Sequence, residues 1–233
     1  MSKIISVNQK IRNFKKIITV PGDKSLSIRW VLFSSLAKGT SKAKNLLMSE
    51  DVLAAIEAIK KLGIRVIIKK KECKIYGKGI NGYKYKKNLT IDAKNSGTLG
   101  RLILGLLVNS PEPINLVGDK SLSKRDFKRV SDPLSKFGAK FKLRSNNFLP
   151  LKIYGSSKLK PIKYNENKGS AQCKSSVIFA AMRTNGTTTI KAKKSRNHTE
   201  LLCKYLRLPI SIKNNKNFDE IKIKEVKKIN TLN

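Results

Sequence analysis

The spacing of apolar positions along the chain predicts alternating helices and strands. Val52, Ile56, Ile59 and Leu62 recur at helical spacing after Ser49-Glu50-Asp51, which has the composition of a helix start. Two short β-like runs follow this helix, at residues 64–68 and 74–77. The segment therefore predicts a helix followed by two strands.

This order of elements recurs with a period of about 70 residues, which indicates an internal repeat. We place the units at about 21–80, 88–156 and 160–225, each with the order βαβαββ. In each unit a polar loop of small residues precedes an apolar helix. The apolar helices are predicted at 30–37, where Gly39 would mark the helix end, at 98–107 and at 176–182. Chance similarity of three ordinary α/β segments is the alternative.

One such unit cannot bury both its sheet and its helices, so three units are expected to pack around shared helices. The sequence therefore predicts an α/β (α+β) prism over residues 21–233, with helices inside and sheets outside. Residues 1–20 are predicted to be a separate N-terminal strand region.

The chain of 233 residues carries a net charge of +36, so nucleic-acid binding has to be considered. Lysine supplies 41 of the 51 basic residues, whereas readers of bases and phosphates usually use arginine. The lysines are also spread over the whole chain, without an aromatic stacking motif. A nucleic-acid-binding module is therefore kept as the alternative function, and anionic small molecules are the favoured ligands.

Other classes of site and location are disfavoured by composition. Cys73, Cys173 and Cys203 are widely spaced, and with a single histidine they form no zinc pattern, so buried reduced thiols are expected. The sequence has no apolar run of membrane-spanning length, and its first residues resemble no signal peptide. A cytoplasmic protein without a metal site is therefore expected.

The polar loops carry groups that suit anions. Lys24, Ser25 and Arg29 offer an ammonium, a hydroxyl and a guanidinium before the first apolar helix, where free backbone N–H groups favour negative charge. The alternative is that these side chains are merely solvated. The corresponding loops of the other units offer Asn95, Gly97, Arg101, Ser170, Gln172 and Lys174, and the loops before their second helices add Arg125 and Ser195. The single histidine, His198, is interpreted as an ordinary surface or packed residue rather than a catalyst. If the loops are equivalent, all three units could line one cleft.

These loops resemble, in order, the elements of the 5-enolpyruvylshikimate-3-phosphate (EPSP) synthase family, which has Pro-Gly-Asp/Ser-Lys-Ser-x-Ser-x-Arg near its N-terminus. The related UDP-N-acetylglucosamine enolpyruvyl transferases share the fold but lack this start. The matching elements are Pro21–Arg29, Asn95–Arg101, Gly118–Arg125, Leu149–Leu151, Ser170–Ser175 and Arg196–Glu200.

The resemblance implies one lobe of the two-lobed enolpyruvyl transferase fold. It also implies transfer of the enolpyruvyl group of phosphoenolpyruvate to the 5-hydroxyl of shikimate 3-phosphate, with no cofactor and no metal. The implied contacts of shikimate 3-phosphate are Lys24, Ser25, Arg29, Ser170, Ala171, Gln172 and Ser195. Those of phosphoenolpyruvate are Lys24, Asn95, Gly97 and Arg125, and Lys174 and Arg196 would add supporting charge.

The chain departs from the family pattern in two side chains and in length. Asp126 stands where proline is usual, and Asn197 where many members have aspartate. Family members run to about twice this length, and their second half carries the acid/base aspartate that proton transfer requires. The resemblance therefore implies an N-terminal half, with residues 1–20 packing on the other lobe. A fragment, a separate C-terminal half and a degenerate remnant stay open, and a monomer is expected for the full enzyme.

Overall fold

The computed structural model describes residues 5–10, 13, 15, 17–69 and 72–233. Within these residues the chain forms six α-helices and eleven strands. The helices are α1 Lys24–Leu36, α2 Glu50–Lys61, α3 Gly97–Leu106, α4 Lys128–Ser135, α5 Ala171–Ala181 and α6 His198–Tyr205. The strands are β1 Lys38–Lys44, β2 Arg65–Lys69, β3 Glu72–Lys78, β4 Leu89–Asp92, β5 Ile114–Val117, β6 Lys140–Arg144, β7 Phe148–Tyr154, β8 Lys163–Glu166, β9 Thr187–Lys193, β10 Ile210–Asn214 and β11 Phe218–Lys224. A 3-10 helix spans Leu122–Lys124.

The predicted repeat appears as three sheets with matching strand orders. The second sheet has the order β4-β5-β7-β6 and the third β8-β9-β11-β10. In both, the first two strands are parallel and the remaining pairs are antiparallel. The second and third units are therefore βαβαββ, as predicted.

The first unit differs, because its sheet has only three assigned strands, in the order β1-β3-β2. Residues 229–232 lie beside the free edge of β1. The N–H of Lys38 donates to the Ile229 carbonyl at 3.2 Å, and that of Lys42 to the Leu232 carbonyl at 2.9 Å. Both segments run in the same direction, so residues 229–232 take the place that β4 and β8 hold in the other sheets.

Two local expectations for the first unit were wrong. Gly39 does not end a helix: α1 ends at Leu36, and Gly39 lies inside β1, a strand that the sequence did not predict. The segment from Lys24 to Arg29 is not a loop, because it forms the first turns of α1, which the Asp23 side chain caps.

The interior is formed by α1, α3 and α5, which are buried on nearly every side. The rings of Phe33 and Phe179 lie 4.9 Å apart between α1 and α5. At Gly105 of α3, an added Cβ would lie only 2.1 Å from the Ser176 carbonyl oxygen, so the backbones of α3 and α5 touch there. These contacts place the helices inside, as predicted.

The sheets form the outside of the prism. Along β9, buried Ile190 and Ala192 alternate with exposed Lys191 and Lys193, which is the pattern of a sheet with one face in water. Cys73, Cys173 and Cys203 are buried free thiols, as expected.

Two further predictions concern the N-terminal segment and membrane-spanning helices. The described residues within 1–20 are exposed and belong to no helix or strand, and the rest of that predicted strand region lies outside the described residues. Its packing on a second lobe stays a prediction. None of the helices in the described part of the chain is long and apolar enough to cross a membrane.

Candidate functional site

The three central helices begin in the same way. Side chains of Asp23, Ser96 and Ser170 cap α1, α3 and α5, each accepting the backbone N–H three residues further on, at 2.7, 3.2 and 3.2 Å. Gln172 of α5 donates to Thr98 of α3, and Arg29 of α1 donates to Ser175 of α5, so the three helix starts meet at one end of the prism. Because each helix start carries partial positive charge, this end favours anions.

At the start of α1, the side chains of Ser25 and Arg29 are hydrogen-bonded to each other. Arg29 Nη1 donates to Ser25 Oγ at 2.6 Å and to the Ser25 carbonyl at 3.0 Å. Lys24 is exposed, and its Nζ lies 3.0 Å from Asp51 Oδ2. The predicted residues Lys24, Ser25 and Arg29 thus lie together on the first turns of this helix.

Arg29 is buried and held by residues far away in sequence. Its Nε donates to Thr199 Oγ1 at 2.7 Å and its Nη2 to Ser175 Oγ at 3.1 Å. Burial lowers the pKa of Arg29 to about 10, although the nearby Glu200 carboxylate opposes that shift. Arg29 is therefore still a cation at neutral pH.

The second unit contributes Asn95, Gly97 and Arg125. Arg125 Nη2 donates to Asn95 Oδ1 at 3.1 Å, and the Asn95 amide in turn donates to the Asp119 carboxylate. A Cβ on Gly97 would lie 2.9 Å from Arg101 Nη1 and 3.1 Å from Arg125 Nη1. Two guanidinium groups therefore reach the start of α3 because Gly97 has no side chain.

The third unit is tied to the second by two arginines. Arg101 Nη1 donates to Gln172 Oε1 at 2.7 Å, and Gln172 Nε2 donates to Thr98 Oγ1 at 3.1 Å. Arg129 Nη2 donates to Ser170 Oγ at 3.0 Å. Since arginine can only donate, Arg101 fixes the orientation of the Gln172 amide, with the oxygen on Arg101 and the N–H₂ group on Thr98.

Sequence reasoning missed two members of this face, Arg129 and Asp51. Arg129 lies in the first turn of α4, four residues after Arg125 in the same basic segment, and this closeness to a predicted site residue could have signalled it. Asp51 was interpreted only as an acidic residue at a helix start, but it also faces the cations. Partial burial works to raise the pKa of Asp51, but hydrogen bonds from Ser96 and Lys24 outweigh it and lower the pKa.

The remaining predicted residues lie in different surroundings. Ala171 is half-buried in the first turn of α5, and Ser195 is half-buried with no hydrogen-bond partner for its hydroxyl among the described residues. Arg196 is exposed. Lys174 is fully buried, and its Nζ lies 2.6 Å from a carboxylate oxygen of Glu200, so its charge is matched inside the protein.

His198 is expected to make the fold less stable in mild acid. Partial burial, with the charges of Arg29 and Arg196, lowers its pKa below the usual 6.5. The unfolded chain therefore binds the proton more readily, and stability falls as the pH drops below about 6.5. An NMR titration of this single histidine measures the pKa. In His198→Gln the corresponding part of the acid dependence is expected to disappear, whereas a pKa of 6.5 or more would contradict the prediction.

The chemistry available at this face is anion binding. Lys24, Arg29, Arg101, Arg125 and Arg129 surround the three helix starts, where preorganised cations can hold phosphate and carboxylate groups. Asp51 and Asp119 both have lowered pKa values, Asp119 through hydrogen bonds from Leu122 and Asn95. These two carboxylates are therefore ionised at neutral pH and are poorly suited to donate a proton.

The chain is similar to known proteins over nearly its whole length. The family model of EPSP synthase (3-phosphoshikimate 1-carboxyvinyltransferase) matches residues 8–232. A 3-phosphoshikimate 1-carboxyvinyltransferase of Streptococcus agalactiae is 46% identical over 188 residues, which are 80% of this chain and 44% of that protein. One of Bacillus subtilis is 42% identical over 193 residues, 82% of this chain and 45% of that protein.

A solved structure agrees with these matches. The EPSP synthase of Acinetobacter baumannii superimposes with a TM-score of 0.85 at 32% identity, over 93% of this chain and 48% of that one. This similarity confirms the predicted enolpyruvyl transferase fold. The chain spans less than half the length of these relatives, and it belongs to the EPSP synthase family.

Proposed function

We propose that this chain is the substrate-binding lobe of an enzyme that transfers the enolpyruvyl group from phosphoenolpyruvate to the 5-hydroxyl of shikimate 3-phosphate. The observation that carries the proposal is the meeting of three capped helix starts, with Lys24, Arg29 and Arg125 around them. Family membership favours this function over a nucleic-acid-binding module.

The two substrates divide between the units. Shikimate 3-phosphate lies against the first and third units, and phosphoenolpyruvate lies against the second, with Lys24 reaching both. The residues assigned to shikimate 3-phosphate are Lys24, Ser25, Arg29, Ser170, Ala171, Gln172 and Ser195, with Arg196 as a nearby charge. Those assigned to phosphoenolpyruvate are Lys24, Asn95, Gly97 and Arg125. Lys174 contributes through Glu200 rather than by contact, because it is buried.

The cations of this face lower the barrier in two ways. They offset the repulsion between two multiply anionic substrates, which brings the 5-hydroxyl close to the enolpyruvyl carbon. They also stabilise the charge of the tetrahedral intermediate and of the departing phosphate. Proton transfer needs a further acid/base group, which we assign to a second lobe. The exposed apolar side chains Ile5, Val7, Ile17, Ile18 and Val20 support the docking of such a lobe.

Calorimetry with shikimate 3-phosphate at low salt tests the proposal. Lys24→Ala is expected to weaken binding about tenfold or more, since it removes one charge-assisted contact. Lys38→Ala removes the same charge from an exposed position on β1 and is expected to change nothing. Equal losses in both variants would mean that the affinity comes from net charge alone, and the site would then be wrong. Phosphate release from both substrates with an added second half tests turnover.

Gly97→Ala is expected to raise the KM for phosphoenolpyruvate about tenfold, because the added methyl displaces the Arg101 and Arg125 guanidinium groups. Binding of shikimate 3-phosphate is expected to change little. The measurement is the rate of phosphate release with an added second half. Gly100→Ala, one turn further along α3, meets the Phe127 ring at 3.2 Å and Ala93 Cβ at 3.5 Å, neither of them assigned to a substrate, and serves as the control. An unchanged KM in Gly97→Ala would remove Gly97 from the phosphoenolpyruvate site.

A further inference from the structure

Thr199 lies in a buried polar cluster shared by α1, α5 and α6. Its hydroxyl accepts from Arg29 Nε at 2.7 Å and donates to Ser175 Oγ at 2.7 Å. Ser175 also accepts from Arg29 Nη2 at 3.1 Å and donates to the Ala171 carbonyl at 2.6 Å. Every hydroxyl proton of this cluster is thus used, and Arg29 of the first unit is tied to the start of α5 in the third.

The cluster and Ser25 together use most of the hydrogen-bond donors of the Arg29 guanidinium. Of its five N–H groups, two face Ser25, one faces Thr199 and one faces Ser175, which leaves a single N–H on Nη2. The Ser25 hydroxyl accepts from Arg29, so its own proton is free for a ligand. The orientation of Ser25 therefore depends on where Thr199 holds Arg29.

A competing acceptor lies close by. Glu200 follows Thr199, and its Oε2 is buried without a hydrogen-bond partner among the described residues. Its carboxylate already acts on the charge of Arg29. Among the charges around Arg29, that of Glu200 acts on it most strongly, so a guanidinium that lost Thr199 would be drawn toward Glu200 and away from Ser25. A valine of the same shape would fill the space equally well, so packing alone does not require the hydroxyl.

We propose that Thr199 is a positioning residue for shikimate 3-phosphate, which acts through Arg29 and Ser25 and does not touch the ligand. This proposal rests on the proposed function of the lobe. The expected result is that Thr199→Val weakens the binding of shikimate 3-phosphate about tenfold, whereas Thr199→Ser, which keeps the hydroxyl, binds as the wild type does. Calorimetry on the chain measures both.

A second measurement, by NMR, reports on the hydrogen bond between Arg29 and Thr199 without any ligand. The Nε–H of Arg29 is expected to give a slowly exchanging ¹H–¹⁵N signal in the wild type and in Thr199→Ser, and to lose that protection in Thr199→Val. Ser175→Ala removes the partner on the other side and is expected to weaken binding as well. This variant decides the question if Thr199→Val does not fold.

The outcomes separate the two proposals. Wild-type affinity in Thr199→Val or in Ser175→Ala overturns the positioning role. Equal weakening in Thr199→Val and Thr199→Ser also overturns it, since the loss of affinity would then not follow the loss of the hydroxyl. A wild-type chain that does not bind shikimate 3-phosphate refutes the proposed function. In that case, an Arg29 signal unchanged in Thr199→Val would overturn the positioning role as well.

Discussion

Lys174→Met is expected to destabilise the folded chain by about 3–5 kcal/mol, the usual cost of leaving one member of a buried ion pair alone. Lys174 is fully buried, and Glu200, whose side chain is 3% exposed, faces it at 2.6 Å. Methionine fills the volume of lysine but leaves the carboxylate unmatched in the interior. Chemical denaturation measures the loss in the free energy of unfolding.

The matched control is the double variant Lys174→Met/Glu200→Leu. Removing both charges avoids their desolvation, so this variant is expected to recover most of the lost stability. Its affinity for shikimate 3-phosphate is still expected to be reduced, because the pair also fixes α6, which carries Thr199, against α5. A double variant as unstable as the single one would show that packing, rather than charge, dominates at this position.

Gly105→Ala is expected to cost about 3 kcal/mol or more, at the upper end of what overpacking costs. The added Cβ would lie 2.1 Å from the Ser176 carbonyl oxygen and 3.1 Å from Phe179 Cβ. Both neighbours belong to α5, so whole helices would have to separate. The gain in helix propensity, about 1 kcal/mol, is too small to compensate.

Thermal and chemical denaturation of Gly105→Ala and Gly100→Ala together test this contact. Both variants gain the same propensity in the same helix, but the Cβ of Gly100→Ala would meet only side-chain atoms, at 3.2 Å or more, and no backbone atom of α5. A Gly105→Ala chain as stable as Gly100→Ala would mean that α3 and α5 do not touch as closely as the structure has them.

The helices show how far sequence patterns can predict this fold. In α2 an apolar stripe faces the core and the other side faces water. The helical spacing of its apolar residues could therefore be recognised in the sequence. By contrast, α1 and α5 are buried on nearly every side after their first turns and have no such stripe. Their apolar centres were located, but their polar first turns were interpreted as loops. Strand β1 was missed because Ser41 and Ala43, small residues without β preference, form its inner face.

The candidate site was predictable where one short segment carries the chemistry. Lys24, Ser25 and Arg29 form such a segment, and they lie together in the structure. The contacts of the supporting residues could not be predicted, because these contacts run across the repeat. Arg29 and Thr199 are 170 positions apart, and the pairing of Lys174 with Glu200 follows from how α5 meets α6.

The place of residues 229–232 beside β1 has a consequence for how the chain folds during translation. The first unit leaves the ribosome early, but the edge of its sheet stays open until nearly two hundred further residues have been made. Until then the free N–H groups of Lys38 and Lys42 can pair with any other strand. A chain cut before Ile229 would keep that edge open permanently. Its other two units could be intact, and it would still be prone to aggregate through the first.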